Sequence, residues 1–460
     1  MPGKTREKDL QEGENRRQKI LTAPLFPLLI RTAIPTMVGM MVTMLYNLTD
    51  TFWIGRLGDK SMTAAIGVVF AFVSFIQAVG FWFGYGSGNT MSRLLGGKEE
   101  EEAKIISSVG VVLSVCSGVA ILACCLLFLD PLVMLLGGGA SESLRVYTRE
   151  YLLIMLFTVP FSLFSTTVYN QLRLCGNVKD AMIGLLVGML GNIVLDPLFI
   201  LGFHMGIAGA GIATLLGNIL STVVIILLSR RHGNIPVSFR HCHFTGKRIY
   251  HILAGGAPNF SRQGITSIAS ILLNNLAAGY GETLIAALTV ATRAGALGYM
   301  LMIGFGQGFQ PICAMNYGAG KYERVKKALG LTVLTGSGFM CVAAILIAVF
   351  AGPLAALLSH NEDVVQLSVV ILRFQCISMP FMALYALSSM FLQNVGRYFP
   401  ALLVSVARQG VFYIPLLLVL PFFLGEKGFY IVQPAADLIS VVCGLLIVAF
   451  SWQGIFAEKK

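Results

Sequence analysis

The chain has 460 residues, of which 56% are hydrophobic and 12% charged, with a formal net charge of +11 and a mean hydropathy of +0.78. A soluble domain carries about a quarter charged residues, so this composition excludes a soluble globular protein. Apolar runs recur along nearly the whole chain, and each is long enough to cross a bilayer as a helix of about 20 residues. The sequence shows no series of segments with the alternating hydrophobicity that is typical of a transmembrane β-barrel.

The apolar runs predict an all-α integral membrane protein with twelve spans, at 25–54, 61–91, 104–129, 143–171, 178–202, 207–229, 249–279, 283–315, 325–352, 364–394, 399–424 and 428–455. With the N-terminus inside, most of the 33 Lys and Arg residues fall in the tails and inner loops. The positive-inside rule then places both termini in the cytoplasm, and the positive charge requires no nucleic acid as a partner. Residues 1–23 lack the features of a signal peptide, so the first span is expected to be retained.

The second half of the chain repeats the first. A shift of 223 residues lays Pro35 on Pro258, and a shift of 220 residues lays Pro160 on Pro380. We therefore expect two pseudo-symmetric six-helix lobes, divided into a tail (1–23), an N-lobe (24–230), a cytoplasmic linker (231–248), a C-lobe (249–455) and a second tail (456–460). Parallel repeats are typical of transporters, with the substrate between the halves. The sequence contains no motif of an enzyme, so we expect neither catalysis nor a cofactor.

Two aspartates lie within apolar spans of the first half, and an ionisable group at membrane depth marks an ion or substrate path by default. Asp196 and Thr214 are equally distant along the chain from the short loop at Met205, and Asp50 lies at a similar distance from the first outer loop. Asn192 precedes Asp196 by one helical turn, so both lie on the same helix face. The four polar groups are therefore predicted to share one layer in the outer half of the membrane.

Carboxylate, amide and hydroxyl oxygens suit hard cations, so these four side chains could coordinate Na+ directly. Two carboxylates this close in a low dielectric cannot both ionise cheaply, so the same residues could equally bind a proton. Pro197 removes a backbone donor beside Asp196, and Pro35 interrupts the first span. We therefore predict hinges at Pro35 and Pro197.

The second half lacks this arrangement, because leucine stands at both positions, 273 and 416, that match the aspartates. It carries Asp437 and several arginines within or near its spans instead. Arg293 and Arg408 are expected to snorkel from helix ends into the interface. Arg262 or Arg373 is expected either to pair with Asp437 or to contact substrate.

The chain resembles the multidrug and toxic compound extrusion (MATE) family over essentially its whole length. The resemblance rests on the two six-helix halves, the Gly-Lys turns at 97–98 and 320–321, and the segments 47–50, 170–177 and 192–214. In the branch with a first-half cation site, the ligands are an Asp on helix 1, an Asn and an Asp on helix 5, and a Thr further on. The resemblance assigns these roles to Asp50, Asn192, Asp196 and Thr214. Another branch uses acidic residues on helices 7 and 10, which this chain lacks.

The resemblance implies an antiporter of the bacterial plasma membrane that exports small amphipathic, often cationic, drugs in exchange for Na+ or H+. We expect it to be a monomer. The candidate residues of the substrate cavity are Tyr46, Asn47, Asn170, Gln171, Arg262 and Arg373.

Two alternative functions stay open at this point. One is a flippase for lipid-linked precursors in the same superfamily, where cavity arginines would hold pyrophosphate. The other is a cation channel, against which the lack of a filter ring argues.

Overall fold

The computed structural model describes residues 2–231, 233–237 and 242–457, without the side chains of residues 2–10, 45, 47, 48 and 51. Over these residues the chain consists of helices and short connections, with no strand. Large apolar side chains remain exposed along the long helices, among them Leu135, Phe422 and Phe450. Lipid contact accounts for such exposure, since a bilayer solvates apolar side chains and requires backbone groups to be bonded internally. The predicted all-α membrane class is confirmed.

The helices of the first half are α1 (Pro2–Thr22), α2 (Leu25–Gly55), α3 (Lys60–Gly96), α4 (Glu100–Leu127), α5 (Leu129–Leu136), α6 (Glu142–Leu174), α7 (Val178–Pro197) and α8 (Gly206–Ser229). A 3-10 turn at Gly138–Ala140 precedes α6. α7 continues directly into a π-helical stretch, Leu198–Gly202, which we call the first π segment.

The helices of the second half are α9 (Gly246–Ala278), α10 (Glu282–Gly318), α11 (Tyr322–Val349), α12 (Ala351–Leu358), α13 (Glu362–Asn394), α14 (Tyr398–Val406), α15 (Ile414–Leu424) and α16 (Glu426–Ala457). A second π segment, Ala407–Tyr413, joins α14 to α15. The short helices α5 and α12 occupy matching places in the two halves, as the sequence repeat predicts.

Eleven helices of the described chain are long and apolar enough to cross a membrane. The remaining predicted span, 249–279, lies on α9, which has 33 residues but a more polar composition that includes Arg262. A helix of that length exceeds the hydrocarbon thickness of a bilayer. Every predicted span therefore coincides with a helix.

The described chain forms two compact units that differ from the predicted lobes at their edges. Unit 1 contains Met1–Ala23 and Val38–Gly256, and unit 2 contains Pro24–Met37 and Ala257–Lys460. The first part of α2 thus belongs to unit 2, although the predicted N-lobe began at residue 24. The start of α9 belongs to unit 1, although the predicted C-lobe began at residue 249. Packing at glycines explains both differences.

In unit 2 the start of α2 lies directly on α10. Thr32 Oγ1 donates to the carbonyl oxygen of Gly308 at 2.9 Å, and Thr36 Oγ1 donates to that of Gly304 at 2.6 Å. A Cβ atom on Gly308 would collide with the backbone of Ala33. Small residues let two helix backbones approach this closely.

In unit 1 the start of α9 lies on α3 in the same manner. Trp82 Nε1 donates to the carbonyl oxygen of Leu253 at 2.7 Å. A Cβ atom on Gly86 would collide with the carbonyl oxygen of Ile252, and one on Gly256 would collide with that of Trp82. These contacts fix residues 246–256 to unit 1.

The predicted N-terminal tail forms helix α1 and packs on unit 1. Arg17 Nη2 donates to the carbonyl oxygen of Gly96 at 2.9 Å, and Arg16 Nη1 donates to Asn234 Oδ1 at 2.7 Å. Ile20 is buried. The sequence interpretation did not include this helix because the segment is polar, with Leu10, Ile20 and Leu21 among its few apolar residues.

Candidate functional site

Three helices of unit 1 bring the predicted cation-site residues into contact, and a fourth helix adds a tyrosine. Asp50 lies on α2, Asn192 and Asp196 lie on α7, and Thr214 lies on α8. Thr214 Oγ1 donates to Asp50 Oδ2 at 3.3 Å. Tyr151 on α6 donates its hydroxyl to the same oxygen at 2.9 Å. The matching depths worked out from the sequence therefore correspond to direct contacts.

Asn192 connects Asp196 on its own helix, α7, with Thr214 on α8. Its Nδ2 atom donates to Asp196 Oδ1 at 3.2 Å and to Thr214 Oγ1 at 3.1 Å. Asp196 is 0% exposed, and Asn192 is 1% exposed. The amide thus uses both of its protons inside the layer and presents its oxygen as an acceptor.

Three buried oxygens in the layer have no hydrogen-bond partner: Asp50 Oδ1, Asn192 Oδ1 and Asp196 Oδ2. Buried polar atoms are bonded in the large majority of cases, and three acceptors at one place that receive no hydrogen bond from an N–H or O–H group can accommodate a cation or a proton. Two carboxylates, an amide and a hydroxyl suit a hard monovalent cation or a proton. The described residues contain no cluster of three or more His, Cys, Asp or Glu side chains that would favour a transition metal.

Tyr151 belongs to this layer although the sequence interpretation did not include it. It lies in the first third of α6, a helix that begins at the outer side in the predicted topology. Tyr151 follows the start of α6 by nine residues. Its distance from the outer loop therefore gives it the same depth in the membrane as Asp50 and Asp196. The signal available in the sequence was a tyrosine at the depth of the two aspartates.

The first π segment begins immediately after Asp196 and Pro197. Phe203 donates its backbone N–H to the carbonyl oxygen of Leu198 at 2.9 Å, across the wider π turn. Pro197 has no N–H, so the regular bonding of α7 ends here. π-helical turns inside helices are frequent at functional sites. The hinge roles of Pro197 and of Pro35, which lies inside α2, stay predictions.

A cavity in unit 1 adjoins the layer, and Asn192 and Thr214 form part of its wall. Tyr46 also lines it, together with methionines (Met155, Met189) and a row of small polar side chains (Ser162, Ser165, Thr166, Asn218). Its volume is about 130 Å³. Ligand pockets usually enclose roughly 300–1,000 Å³, so the cavity in this state holds only part of a drug-sized molecule.

Two other predicted cavity residues of the first half, Asn170 and Gln171, lie elsewhere. The side chain of Asn47 lies outside the described residues. Asn170 is buried between helices, where Nδ2 donates to the carbonyl oxygen of Thr166 at 2.8 Å. Gln171 joins α3, α4 and α6, since its Nε2 donates to Ser87 Oγ and its Oε1 accepts from Ser107 Oγ. Neither Asn170 nor Gln171 lines the cavity.

The arginines of unit 2 differ from their predicted arrangement. Arg262 Nη1 donates to the Tyr299 hydroxyl at 2.8 Å, and Arg373 is exposed. The predicted pairing of Arg262 or Arg373 with Asp437 is wrong, because Arg408 Nε donates to Asp437 Oδ1 at 2.6 Å. The predicted snorkelling of Arg408 is also wrong, since that side chain is buried in the unit. The sequence gives the depth of each residue but not the rotation of its helix.

Comparison with known proteins gives the family of this chain. The sequence profile of the MatE family matches residues 35–198 and 259–419. The chain belongs to the MatE family. The two matched stretches fall in the two halves, in agreement with the sequence repeat.

Individual MatE relatives match along most of their lengths. The multidrug export protein MepA of Staphylococcus aureus is 25% identical over 427 residues, which cover 93% of this chain and 94% of MepA. MepA of Staphylococcus saprophyticus is 26% identical over 425 residues, which cover 92% and 93%. A solved structure described as the outward-facing conformation of a multidrug resistance MATE family transporter of the MOP superfamily is 25% identical. It superposes with a TM-score of 0.89 over 96% of this chain and 98% of that one. The predicted MATE resemblance is confirmed.

Proposed function

We propose that this protein is a multidrug antiporter of the bacterial plasma membrane, which exports small amphipathic, often cationic, compounds in exchange for Na+ or H+. The observation that carries the proposal is the layer of Asp50, Asn192, Asp196 and Thr214, with three unbonded acceptor oxygens beside a cavity. The names of the staphylococcal relatives support the class of substrate. The bias of basic residues toward the inner loops supports cytoplasmic termini.

The layer couples the cation to the substrate through shared side chains. A bound cation satisfies acceptors from α2 and α7 together, so its arrival changes the contact between those helices. Asn192 and Thr214 belong both to the layer and to the cavity wall, so the same change reaches the bound drug. The cation must bind the two states of the transporter unequally, since equal affinity shifts no equilibrium.

The cavity wall agrees with a broad range of amphipathic substrates. Tyr46, Met155 and Met189 offer polarizable apolar surface, and methionine adapts to ligands of different shape. The hydroxyl and amide groups of the cavity wall offer hydrogen bonds to uncharged polar atoms. Binding of a whole drug requires the cavity to widen beyond its volume in this state.

The decisive experiment is dye efflux from proteoliposomes under one imposed gradient at a time, either Na+ or pH. We expect the wild-type protein to extrude a cationic dye under at least one gradient, which identifies the coupling ion. The double variant Asp50→Asn/Asp196→Asn should lose gradient-driven efflux. Asp130→Asn is the matched control, because Asp130 pairs with Arg149 at an exposed site. Wild-type efflux by the double variant would overturn the proposal.

The arginines of unit 2 give little support to the flippase alternative. Arg408 is already paired with Asp437, and Arg373 is exposed and donates to the carbonyl oxygen of Ala348. Translocation of a lipid-linked headgroup without dye efflux would nevertheless replace the proposed function. An uncoupled, non-saturating cation conductance would favour a channel.

A further inference from the structure

Unit 2 contains a buried carboxylate whose two oxygens are both bonded. Asp437 on α16 is 2% exposed. Its Oδ1 accepts from Arg408 Nε at 2.6 Å and from Gln433 Nε2 at 2.8 Å, and its Oδ2 accepts from Ser378 Oγ at 2.8 Å. The carboxylate therefore lies in a site made of an amide, a hydroxyl and a guanidinium.

The cation layer of unit 1 has the same chemistry without the guanidinium. There the carboxylates of Asp50 and Asp196 are accompanied by the amide of Asn192 and the hydroxyl of Thr214. Each of those carboxylates leaves one oxygen unbonded. The two sites differ in the number of carboxylates and in whether the chain itself supplies a positive charge.

The sequence repeat relates the positions of Arg408 and Asp437 to two glycines of unit 1. A shift of 220 residues matches the start of α7 with that of α14 and the start of α8 with that of α16. It lays Gly188 on Arg408 and Gly217 on Asp437. A Cβ atom on Gly188 would lie 2.8 Å from the carbonyl oxygen of Gly217. The segments that correspond to each other in the repeat thus meet in two different ways. In unit 1 they meet through glycine backbones, and in unit 2 they meet through the ion pair of Arg408 and Asp437.

Aromatic rings contact Arg408 in addition to Asp437. Its guanidinium carbon lies 5.2 Å from the ring centroid of Tyr299 and 5.9 Å from that of Tyr385, so the two rings add cation–π contacts. Arg408 lies on the second π segment, whose wider turn breaks the regular α-helical spacing between α14 and α15. Burying a charge costs several kcal/mol unless a counter-charge and hydrogen bonds compensate for the lost water, and Asp437 supplies both.

We infer that Arg408 is a tethered counter-ion, which permanently occupies the cation position of a carboxylate–amide–hydroxyl site in unit 2. Unit 2 consequently takes no cation from solution, and ion coupling is confined to unit 1. The statement on coupling rests on the proposed function, whereas the occupancy of the site at Asp437 does not. Without Arg408, the carboxylate of Asp437 requires a soluble cation or a proton.

Other charged and titratable groups surround the pair. Arg262 on α9 contacts Tyr299, and three tyrosines on α10, α13 and the second π segment face Arg408 and Asp437 (Tyr299, Tyr385, Tyr413). The positive charge of Arg262 weakens the binding of a soluble cation at Asp437, whereas a proton can still bind to the carboxylate. The test therefore varies both Na+ and pH.

The experiment measures thermal unfolding of the purified protein in detergent, in an Asp50→Asn/Asp196→Asn background that removes the carboxylates of unit 1. In this background we expect the Tm to be independent of Na+ when NaCl replaces choline chloride at constant ionic strength. Adding Arg408→Met should lower the Tm at about pH 8, and Na+ or acid should restore it. Each tenfold rise of the ligand above its Kd should raise the Tm on the order of 2 °C. Acid should restore the Tm because protonation removes the uncompensated negative charge that Arg408→Met leaves buried.

Two further variants in the same background separate a tethered counter-ion from simple packing. Arg408→Lys keeps a positive charge on the chain and should stay insensitive to Na+. Arg408→Met/Asp437→Leu removes both charges and should be insensitive to Na+ and as stable as the background, since apolar replacement of a buried pair is often neutral. A Tm of Arg408→Met that responds to neither Na+ nor pH would overturn the inference. Failure of Arg408→Met to fold in any ion or pH, while the double replacement folds, would overturn it as well.

The outcome is independent of the proposed function. The thermal measurement reports on Asp437 in a protein that lacks the carboxylates at positions 50 and 196. Loss of the proposed transport activity would leave that measurement unaffected. Conversely, a Tm of Arg408→Met that is insensitive to ions and pH would overturn the inference without contradicting the proposed cation-driven efflux by the wild-type protein.

Discussion

Asp196→Asn should weaken cation coupling by about three orders of magnitude while leaving drug binding nearly unchanged. The replacement is isosteric, and the side chain is fully buried, so the change removes one negative charge and no volume. A unit charge about 4 Å from a cation contributes about 4 kcal/mol at an effective dielectric constant of 20. At 1.4 kcal/mol per factor of ten, this corresponds to about a thousandfold weaker binding. The direction is the same for Na+ and for H+.

The assay is the cation concentration that gives half-maximal dye efflux from proteoliposomes, measured for the wild-type protein and for Asp196→Asn. Equilibrium binding of the dye to the purified variant should stay within a fewfold of the wild-type value, because Asp196 does not line the cavity. A half-maximal concentration within tenfold of the wild-type value would refute the reasoning. A large loss of dye binding would show instead that Asp196 contacts the substrate.

Three further predictions concern stability. Gln171→Leu leaves the buried hydroxyls of Ser87 and Ser107 short of partners, so it should cost about 1–3 kcal/mol of unfolding free energy and lower the Tm without changing the cation requirement. Gly86→Leu should push the start of α9 away from α3 and lower the Tm by more than Gly246→Ala, whose added methyl group meets open space; equal Tm values would contradict the close packing of these helices. Glu102→Gln removes an ion pair with Arg248 at a partly exposed site, where Nε and Oε1 are 2.8 Å apart. Chemical denaturation should show a loss below about 1 kcal/mol that shrinks in high salt, and a larger, salt-independent loss would disprove the weak-pair estimate.

The sequence predicts the helices of unit 1 and the grouping of Asp50, Asn192, Asp196 and Thr214 in one layer, because both depend on distances along the chain. Span length follows from bilayer thickness, and the depth of Asp50, Asp196 and Thr214 follows from their distance to a short loop. Asn192 joins them through helical periodicity alone. These quantities need no knowledge of how helices are rotated against one another.

The features that sequence reasoning missed depend on how each helix is rotated about its axis and on how closely neighbouring helices pack. The partner of Asp437 is Arg408 rather than Arg262 or Arg373, and only the orientation of the second π segment decides this. Tyr151 has the right depth, but its contact with Asp50 depends on how α6 is turned. Gly256 gives no signal in the sequence, and only when both backbones are in place is it visible that a Cβ atom there would collide with the carbonyl oxygen of Trp82.

The assignment of Pro24–Met37 to unit 2 and of residues 246–256 to unit 1 means that each compact unit is completed by a helix segment from the other half of the chain. Domain swapping produces the same exchange of an identical element between protomers. The two halves, expressed as separate polypeptides, should therefore fold poorly alone and recover when they are produced together.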